Sequence, residues 1–160
     1  LELEHSLIDW ESLMNETLEN LQFADGADRI EKHIHIQYEG AFHSDPVRIG
    51  IIFNNLISNA IKYQNLQRKD SRVDITITRQ GSNAVISIAD NDIGIAREHQ
   101  PKVYNLFFRA SIQSYGSGMG MYIVKNAIDR LKGSIQLESE EGNGSVFTVT
   151  LPDLGPAPDA

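Results

Sequence analysis

The sequence contains no cysteine among its 160 residues. Disulfide bonds, thiolate nucleophiles and zinc sites built on cysteine are therefore excluded. An excess of positive charge is also missing, because 14 lysines and arginines stand against 22 aspartates and glutamates and leave a formal net charge of −8. This balance argues against a nucleic-acid surface. An anion would have to be bound by local donors rather than by a general positive field.

Long apolar runs, repeats and linkers are absent as well. No stretch approaches the roughly 20 apolar residues of a membrane span, and the acidic N-terminal stretch does not resemble a signal peptide. The length predicts one domain, over residues 1–152, followed by a disordered, proline-rich tail over residues 153–160. Because the first residue is Leu1 rather than methionine, we expect a fragment of a longer chain.

Hydrophobic periodicity predicts both helices and strands. Asp45 and Pro46 form a typical helix start, and Gly133 stands where a C-terminal cap is expected. The predicted helices cover about 10–23, 46–63, a short stretch within 97–107 and the segment after residue 120, and the predicted strands cover 33–39, 72–79, 83–90, 134–139 and 145–152. Paired strands without strict strand–helix alternation favour an α+β fold, with a largely antiparallel sheet and helices on one face.

Three glycines, Gly116, Gly118 and Gly120, occupy alternate positions directly before a helical pattern. Their spacing does not fit the dinucleotide-binding pattern, and no Gly-Lys-Ser/Thr phosphate loop is present. A glycine-rich loop that leads into a helix N-terminus can bind an anion through unpaired backbone N–H groups. A flexible surface loop explains the same residues.

A polar edge is predicted on the helix that begins at Pro46. Asn55, Asn59, Lys62 and Tyr63 stand at positions i, i+4, i+7 and i+8. An amide oxygen suits a magnesium ion that carries nucleotide phosphates, and a lysine can meet phosphate as a point charge. A solvated stripe is the alternative interpretation.

The strand over 83–90 ends in Asp90 and continues into a turn through Asn91, Asp92 and Gly94. A carboxylate at a strand end can accept a hydrogen bond from the exocyclic amine of adenine, and it would repel the carbonyl oxygen that guanine presents there. Asp-Asn-Asp is also simply a good turn sequence.

In this order, the segments "NNLISNAIKY", "DNDIGIA" and "LFFRAS…YGSGMGMYIVK" resemble the N, G1, F and G2 boxes of the ATP-binding catalytic domain of sensor histidine kinases. That domain belongs to a superfamily shared with gyrase, ninety-kilodalton heat-shock chaperones and mismatch-repair ATPases. The resemblance covers residues 7–152. It implies the Bergerat fold, a two-layer α/β sandwich with a mixed, mostly antiparallel sheet on about three helices and a flexible ATP lid.

The resemblance also implies roles for individual residues. Asn59 would ligate Mg²⁺, Asn55 and Lys62 would lie near the phosphates, and Tyr63 would lie beside the nucleoside. Asp90 would hold the adenine amine. The other implied nucleotide contacts are Gly94, Phe107, Phe108, Arg109, Gly116, Gly118, Met119 and Gly120. Asn55, Lys62 and Arg109 are the implied catalytic residues.

Two features depart from the family pattern. Asp92 occupies the first glycine of the D-x-G-x-G motif, where a positive φ would be costly for aspartate and an added carboxylate could crowd the nucleotide. No histidine has the arginine- and proline-flanked context of the family's phosphoacceptor; those present are His5, His33, His35, His43 and His99. His33 and His35 are expected to face solvent from a strand.

The function implied by the resemblance is binding of Mg²⁺–ATP and donation of its γ-phosphoryl group to a histidine on a separate dimerisation domain. The implied partners are that domain and a response regulator. The implied location is the cytoplasm, whether or not the parent chain is anchored to a membrane. The alternatives are a degenerate regulatory module with weak or no nucleotide binding, and a serine kinase of the anti-sigma type on the same fold.

Overall fold

The structure is a computed structural model that describes residues 2–106, 108 and 119–158. Helices and strands occur in an order close to that predicted. The elements are β1 (Ser6–Leu7), α1 (Trp10–Leu21), β2 (Glu31–Gln37), β3 (His43–Ser44), α2 (Pro46–Lys62), β4 (Arg72–Gln80), β5 (Asn83–Asp90), α3 (Gly120–Arg130), β6 (Ser134–Glu140) and β7 (Gly144–Leu151).

Five strands form one mixed sheet in the order β2-β4-β5-β7-β6. β2 and β4 run parallel, whereas the other three pairs are antiparallel. The β4–β5 hairpin closes on a two-residue turn, because Gln80 pairs with Asn83. The short strands β1 and β3 pair with each other outside this sheet. The predicted α+β class and the mostly antiparallel sheet are confirmed.

The helices cover one face of the sheet. Along β4, Val73, Ile75 and Ile77 are fully buried, whereas the alternating Asp74 and Thr76 are only half-buried. This period of two separates a core face from a solvated face. The helical side chains in the same core include Ile52, Phe53, Leu56, Ile57, Val124 and Ile128. In the described ranges, no helix combines the length and the apolar character needed to cross a bilayer.

Helix α2 begins where the sequence predicts. The Asp45 side chain accepts hydrogen bonds from the backbone amides of Val47 and Arg48, and Pro46 follows it at the first helical position. Burial disfavours the Asp45 carboxylate, but hydrogen bonds from the amides of Glu4 and Arg48 and the Arg48 guanidinium outweigh that cost and lower its pKa. A charged, hydrogen-bonded cap therefore fixes the start of the helix that carries the polar edge.

Two predicted elements differ from the structure. β2 starts two residues earlier than predicted because its parallel pairing with β4 begins at Glu31 opposite Arg72. Of the short helix predicted within 97–107, with an interruption or restart at Pro101, the described residues form one 3-10 turn at Gln100–Lys102. Gln100 donates instead to the carbonyl oxygens of Ile95 and Ser139, which ties this segment to β6.

The cap of α3 also differs from the prediction. Lys132, with φ of 60°, is the left-handed residue, whereas Gly133 donates its amide to Ile128. A Cβ atom at Gly133 would lie 2.5 Å from the Thr150 carbonyl oxygen and 2.7 Å from Leu151 Cδ2. Glycine is needed here for a close approach to β7, and not for its backbone angles.

Residues after β7 make specific contacts with the N-terminal part of the chain. The Asp153 carboxylate accepts from the amides of His43 and Gly155, and the Leu154 amide donates to His43. The expected tail thus begins with three residues held by hydrogen bonds, because β3 offers them free backbone groups. Residues 159 and 160 lie outside the described residues.

Two glycines of the β6–β7 turn provide a matched test of packing against backbone strain. Both have positive φ, 90° at Gly142 and 104° at Gly144, but a Cβ at Gly142 would meet nothing within 4 Å. At Gly144 it would overlap the Asp90 carbonyl oxygen and lie 2.9 Å from Asn91 Cα. We expect Gly142→Ala to cost about 1–2 kcal/mol of unfolding free energy, the usual price of the left-handed conformation.

We expect Gly144→Ala to cost more than about 3 kcal/mol, because displacement of the backbone at Asp90 adds to the same conformational strain. Urea denaturation of both variants and the parent measures the difference. Equal losses in the two variants would contradict the close contact between this turn and the end of β5.

Candidate functional site

The polar edge of α2 lies beside the start of α3. Asn55 and Asn59 are half-buried, Lys62 is exposed, and Tyr63 is half-buried at the C-cap of the helix. The apolar residues on the other side of α2 are in the core, which fixes the rotation of the helix. The two asparagines therefore project from a rigid element at the rim of the core.

Gly120, the first residue of α3, lies directly over these asparagines. A Cβ atom at Gly120 would lie 3.3 Å from Asn55 Oδ1 and 4.0 Å from Asn59 Oδ1. The nitrogen of each amide is engaged elsewhere: Asn55 Nδ2 donates to the Ile51 carbonyl at 2.8 Å, and Asn59 Nδ2 donates to Met121 Sδ at 3.0 Å. Two amide oxygens thus converge at the N-terminal end of α3, where backbone N–H groups have no helical partner.

A carboxyl group marks the end of β5. Asp90 Oδ1 accepts hydrogen bonds of 3.1 Å from the amides of Asp92 and Ser145. The first amide belongs to the following turn and the second to β7, the neighbouring strand. Because both donors are backbone groups, the orientation of the Asp90 carboxyl is determined by the sheet itself.

The turn after Asp90 is held between two parts of the fold. Gly94 has φ of 68°, and a Cβ atom there would overlap the carbonyl oxygen of Glu140 at the end of β6. Ile93 donates its amide to the Tyr63 carbonyl at 3.1 Å and accepts at 2.7 Å from the amide of Gly142. The turn therefore joins the end of α2 to the β6–β7 turn.

Asp90 and Asp92 form a carboxyl pair in which Asp92 is buried and Asp90 is half-buried. Asp92 is 8% exposed, and its Oδ1 accepts from the Gly94 amide at 2.7 Å. Burial, followed by the charge of Asp92, raises the pKa of Asp90 to about 8. Burial also raises the pKa of Asp92, against the hydrogen bonds that it receives from Asp90, Gly94 and Ser145. One proton is consequently retained by the pair at neutral pH.

The backbone cost that the sequence suggested for Asp92 does not arise. Among the described residues other than glycine, only Lys132 has a positive φ. In the turn after β5 the left-handed position is Gly94, which the sequence retains. Asp92 adopts ordinary angles and turns its carboxyl towards Asp90, Gly94 and Ser145.

The structure brings most of the described site residues to one side of α2. Asn55 and Asn59 meet Gly120 near the middle of the helix, and Tyr63 meets the turn after Asp90 at its end. The ring of Phe108 lies 5.7 Å from that of His99, and Met119 is 37% exposed next to Gly120. Phe107, Arg109, Gly116 and Gly118 lie outside the described residues. His33 and His35 are exposed on β2, as predicted.

Several supporting residues were not found by sequence reasoning. Ser145 orients Asp90, Gly144 permits the close approach of β7, and Met121 orients Asn59. Ser139 Oγ accepts from the Ile95 amide and lies 2.9 Å from Ser145 Oγ. Of these residues, only Gly144 carried a sequence signal, as part of the turn "EEGNG". The other supporting residues act through contacts between elements that periodicity does not specify.

Acidic and imidazole groups do not gather into a metal cage in the described part of the chain. The hard oxygen donors that converge at the start of α3 are the amide oxygens of Asn55 and Asn59. Such a set suits Mg²⁺, which usually takes one or two protein oxygens and completes its shell with phosphate and water. The residues present thus fit a metal that arrives with a nucleotide.

A model of the histidine kinase-, DNA gyrase B- and HSP90-like ATPases matches residues 44–155, which include α2, the turn after β5 and α3. The chain belongs to this family. It is a histidine-kinase-type ATP-binding catalytic domain, as the four sequence boxes predicted.

Curated relatives agree with this assignment. A probable C4-dicarboxylate sensor kinase of Bacillus subtilis (strain 168) is 35% identical over 114 residues, which cover 71% of this chain and 21% of that protein. The circadian input-output histidine kinase CikA of Synechococcus elongatus is 31% identical over 148 residues, 88% of this chain and 19% of that protein. The chain thus spans about a fifth of the length of these relatives.

Solved structures of histidine kinases share the fold. The mycobacterial sensor histidine kinase MprB superposes with a TM-score of 0.78 at 23% identity, over 92% of this chain and 97% of that one. Full-length ShkA in complex with AMPPNP gives a TM-score of 0.81 at 22% identity, over 98% of this chain and 33% of that one. These likenesses confirm the predicted two-layer sandwich.

The carboxyl pair has a consequence for stability. Between the ordinary aspartate pKa and the raised value at Asp90, the folded state binds more protons than the unfolded state. The free energy of unfolding therefore falls as pH rises through this interval. The stabilising contribution of the raised Asp90 pKa is fully present only below the interval. Removal of the Asp92 charge lowers the Asp90 pKa and reduces this loss.

We expect Asp92→Asn to lose less unfolding free energy than the parent between pH 5 and pH 8.5, by about 1 kcal/mol or more, since one pKa unit corresponds to about 1.4 kcal/mol. Urea denaturation at both pH values measures the difference, in which the titration of all other groups cancels. An equal change in parent and variant would show that the two carboxyls do not interact.

Proposed function

We propose that this domain binds Mg²⁺–ATP along α2 and, in its parent protein, donates the γ-phosphoryl group to a histidine of another domain. The observation that carries the proposal is the position of two polar sites along α2, one formed by its own asparagines and one by the turn that contacts its end. Asn55 and Asn59 present oxygens near the middle of α2, and the Asp90 turn contacts its C-terminal end at Tyr63. A nucleotide has the same two ends, a charged phosphate chain and a hydrogen-bonding base.

Asp90 provides the base end of the site. Its carboxyl is oriented by the amides of Asp92 and Ser145, so it need not reorganise when a ligand arrives. The ionised form would accept from the exocyclic amine of adenine, and Gly94 allows the turn to pack closely against the Glu140 carbonyl. Tyr63 would contact the nucleoside from the end of α2.

Asn55 and Asn59 provide the phosphate end. Asn59 would hold the metal through its amide oxygen, which adds no negative charge beside a triphosphate. A Mg²⁺ ion held there would neutralise negative charge on the phosphates. Gly120 brings the N-terminus of α3 onto the same point, so its free amides face the phosphates. Lys62, and Arg109 outside the described residues, would add positive charge, while Phe107, Phe108, Gly116, Gly118 and Met119 would complete the lid.

Phosphoryl transfer depends mainly on positioning and charge neutralisation. The domain therefore needs no nucleophile of its own, and the acceptor belongs to a second domain. The relatives extend well beyond the matched segment, which leaves room for such a domain and for response-regulator partners. Because ATP is a cytoplasmic nucleotide, the domain would work in the cytoplasm.

The start of α3 offers a surface for that second domain. Met119, Tyr122 and Ile123 are large apolar residues with 37%, 37% and 38% of their surface exposed. They flank Gly120, the glycine that covers Asn55 and Asn59. A domain docked there would bring its histidine next to the phosphate end of the site.

The sensor and histidine kinases among the relatives do not favour the serine-kinase alternative. The argument for a degenerate module rested on the cost of Asp92, and its backbone angles remove part of that cost. Nucleotide binding is therefore the property to test first.

We expect the domain to bind Mg²⁺–ATP at pH 8.5, and Asp90→Ala to weaken that binding by about tenfold or more, as loss of a hydrogen bond to a charged group implies. Asp74→Ala is the matched control, because Asp74 is a carboxylate on the solvated face of β4. Isothermal titration calorimetry gives all three affinities. An intact domain that takes up no nucleotide would contradict the proposal.

For the docking surface, we expect Ile123→Glu to leave the ATP affinity unchanged and to reduce phosphoryl transfer in the parent chain at least about tenfold, because an apolar contact is lost. Radiolabel transfer from γ-labelled ATP to the acceptor histidine measures the rate. Phe23→Glu makes the same change from an apolar to an acidic side chain at an exposed position after α1 and should have little effect. Unchanged transfer by Ile123→Glu would exclude this surface.

A further inference from the structure

Asp92 stands where the family pattern has glycine, and its side chain lies against the carboxyl that we assign to the base. We infer that Asp92 is a positioning residue that holds a proton on the Asp90–Asp92 pair and thereby relaxes the preference of this domain for adenine over guanine near neutral pH. The inference rests on the proposed nucleotide-binding function. It adds a residue to the base end of the site that sequence comparison would treat as a defect.

Backbone hydrogen bonds prevent the two carboxyls from moving apart. Asp90 Oδ1 is held by the amides of Asp92 and Ser145, and Asp92 Oδ1 is held by the amide of Gly94 at 2.7 Å. The turn itself is locked by the contact of Gly94 with the Glu140 carbonyl. Repulsion between two ionised groups therefore cannot be relieved by rotation, and protonation relieves it instead.

The surroundings of the pair are mostly neutral. The side chains that face it from β7 and β6 are the hydroxyls of Ser145 and Ser139, which lie 2.9 Å apart. The ionisable residues that neighbouring segments carry at this end of the sheet are Lys62, Tyr63, Asp70, Arg72, Glu140 and Glu141, of which Asp70 is exposed and accepts from Asn91 through its backbone. Lys62 and both glutamates are exposed, and Arg72 Nε lies 3.5 Å from Asp74 Oδ2 on β4.

A proton on the pair changes what Asp90 offers to a base. An ionised carboxyl only accepts hydrogen bonds, which suits the amine of adenine; a protonated carboxyl also donates one. That donor is given to Asp92 in the ligand-free pair, and it can turn instead to the carbonyl oxygen that guanine presents at the same position. Burial and the Asp92 charge raise the Asp90 pKa to about 8. Below this pH the subsite holds the donor form in most molecules, and above it the proton is released to solvent.

The ratio of GTP to ATP dissociation constants reports this change directly. The two nucleotides carry the same triphosphate, so titration of the phosphates and their Mg²⁺ affinity cancel in the ratio. We expect the ratio for the parent to rise with pH on both sides of pH 8, by up to about tenfold per pH unit for one proton. Calorimetric titrations with Mg²⁺–ATP and Mg²⁺–GTP at half-unit intervals from pH 6 to pH 9 measure it.

Two variants separate the charge of Asp92 from its structural role. Asp92→Asn keeps an oxygen for the Gly94 amide but removes the charge, and Asp92→Gly restores the family residue. We expect both to shift the rise of the ratio to lower pH and to give a higher ratio near neutral pH, because without the Asp92 charge only burial raises the Asp90 pKa. Asp25→Asn changes the net charge equally at an exposed turn position after α1 and should retain the profile of the parent. If Asp92 had only a structural role, Asp92→Asn would show the same pH profile as the parent.

A pH-independent ratio in the parent, with both nucleotides bound, would overturn this inference and leave the proposed function intact. Failure of the parent to bind either nucleotide at any pH would overturn both. Carbon-13 NMR titration of the aspartate carboxyl signals in the ligand-free domain supplies a second readout. An Asp90 signal that titrates in the ordinary aspartate range would refute the shared proton whatever the nucleotides do.

Discussion

The site depends on close backbone contact between the turn after β5 and the β6–β7 turn. At Gly94 and at Gly144, the space that a Cβ atom would need is filled by a carbonyl oxygen of the other segment. This contact places the Ser145 amide on Asp90 and the Ile93 amide on the end of α2. Without it, the carboxyl at the end of β5 would be an ordinary turn residue on the surface of the domain.

Helix α2 connects that carboxyl to the phosphate end of the site. Its core face fixes its rotation, and its capped start at Asp45 fixes its register along the sheet. The asparagine oxygens and the Asp90 turn are consequently held at a set separation by one rigid element. In a protein with a net charge of −8, this local arrangement has to supply the anion-binding groups that a positively charged surface would supply in other proteins.

Sequence reasoning succeeded wherever the signal was local. The cap and length of α2, the β4–β5 hairpin and the β6–β7 pair follow from helical or alternating periodicity and from turn residues, so they were predictable. It was right only in part about the short helix within 97–107, which is one 3-10 turn where Gln100 is bound to β6. The prediction for Gly133 was wrong for a related reason. Glycine is required there because the backbone lies in close contact with β7, which is distant in sequence.

The sequence by itself determined the family, the types of secondary structure and the identity of the polar residues along α2. These depend on residue order and spacing, which are properties of the chain alone. The tertiary structure decided which groups support them, such as Ser145, Ser139 and Met121, and it decided the state of Asp92. An aspartate in a motif is ambiguous until its neighbours are known, because burial beside a second carboxyl sets whether it carries a charge or a proton.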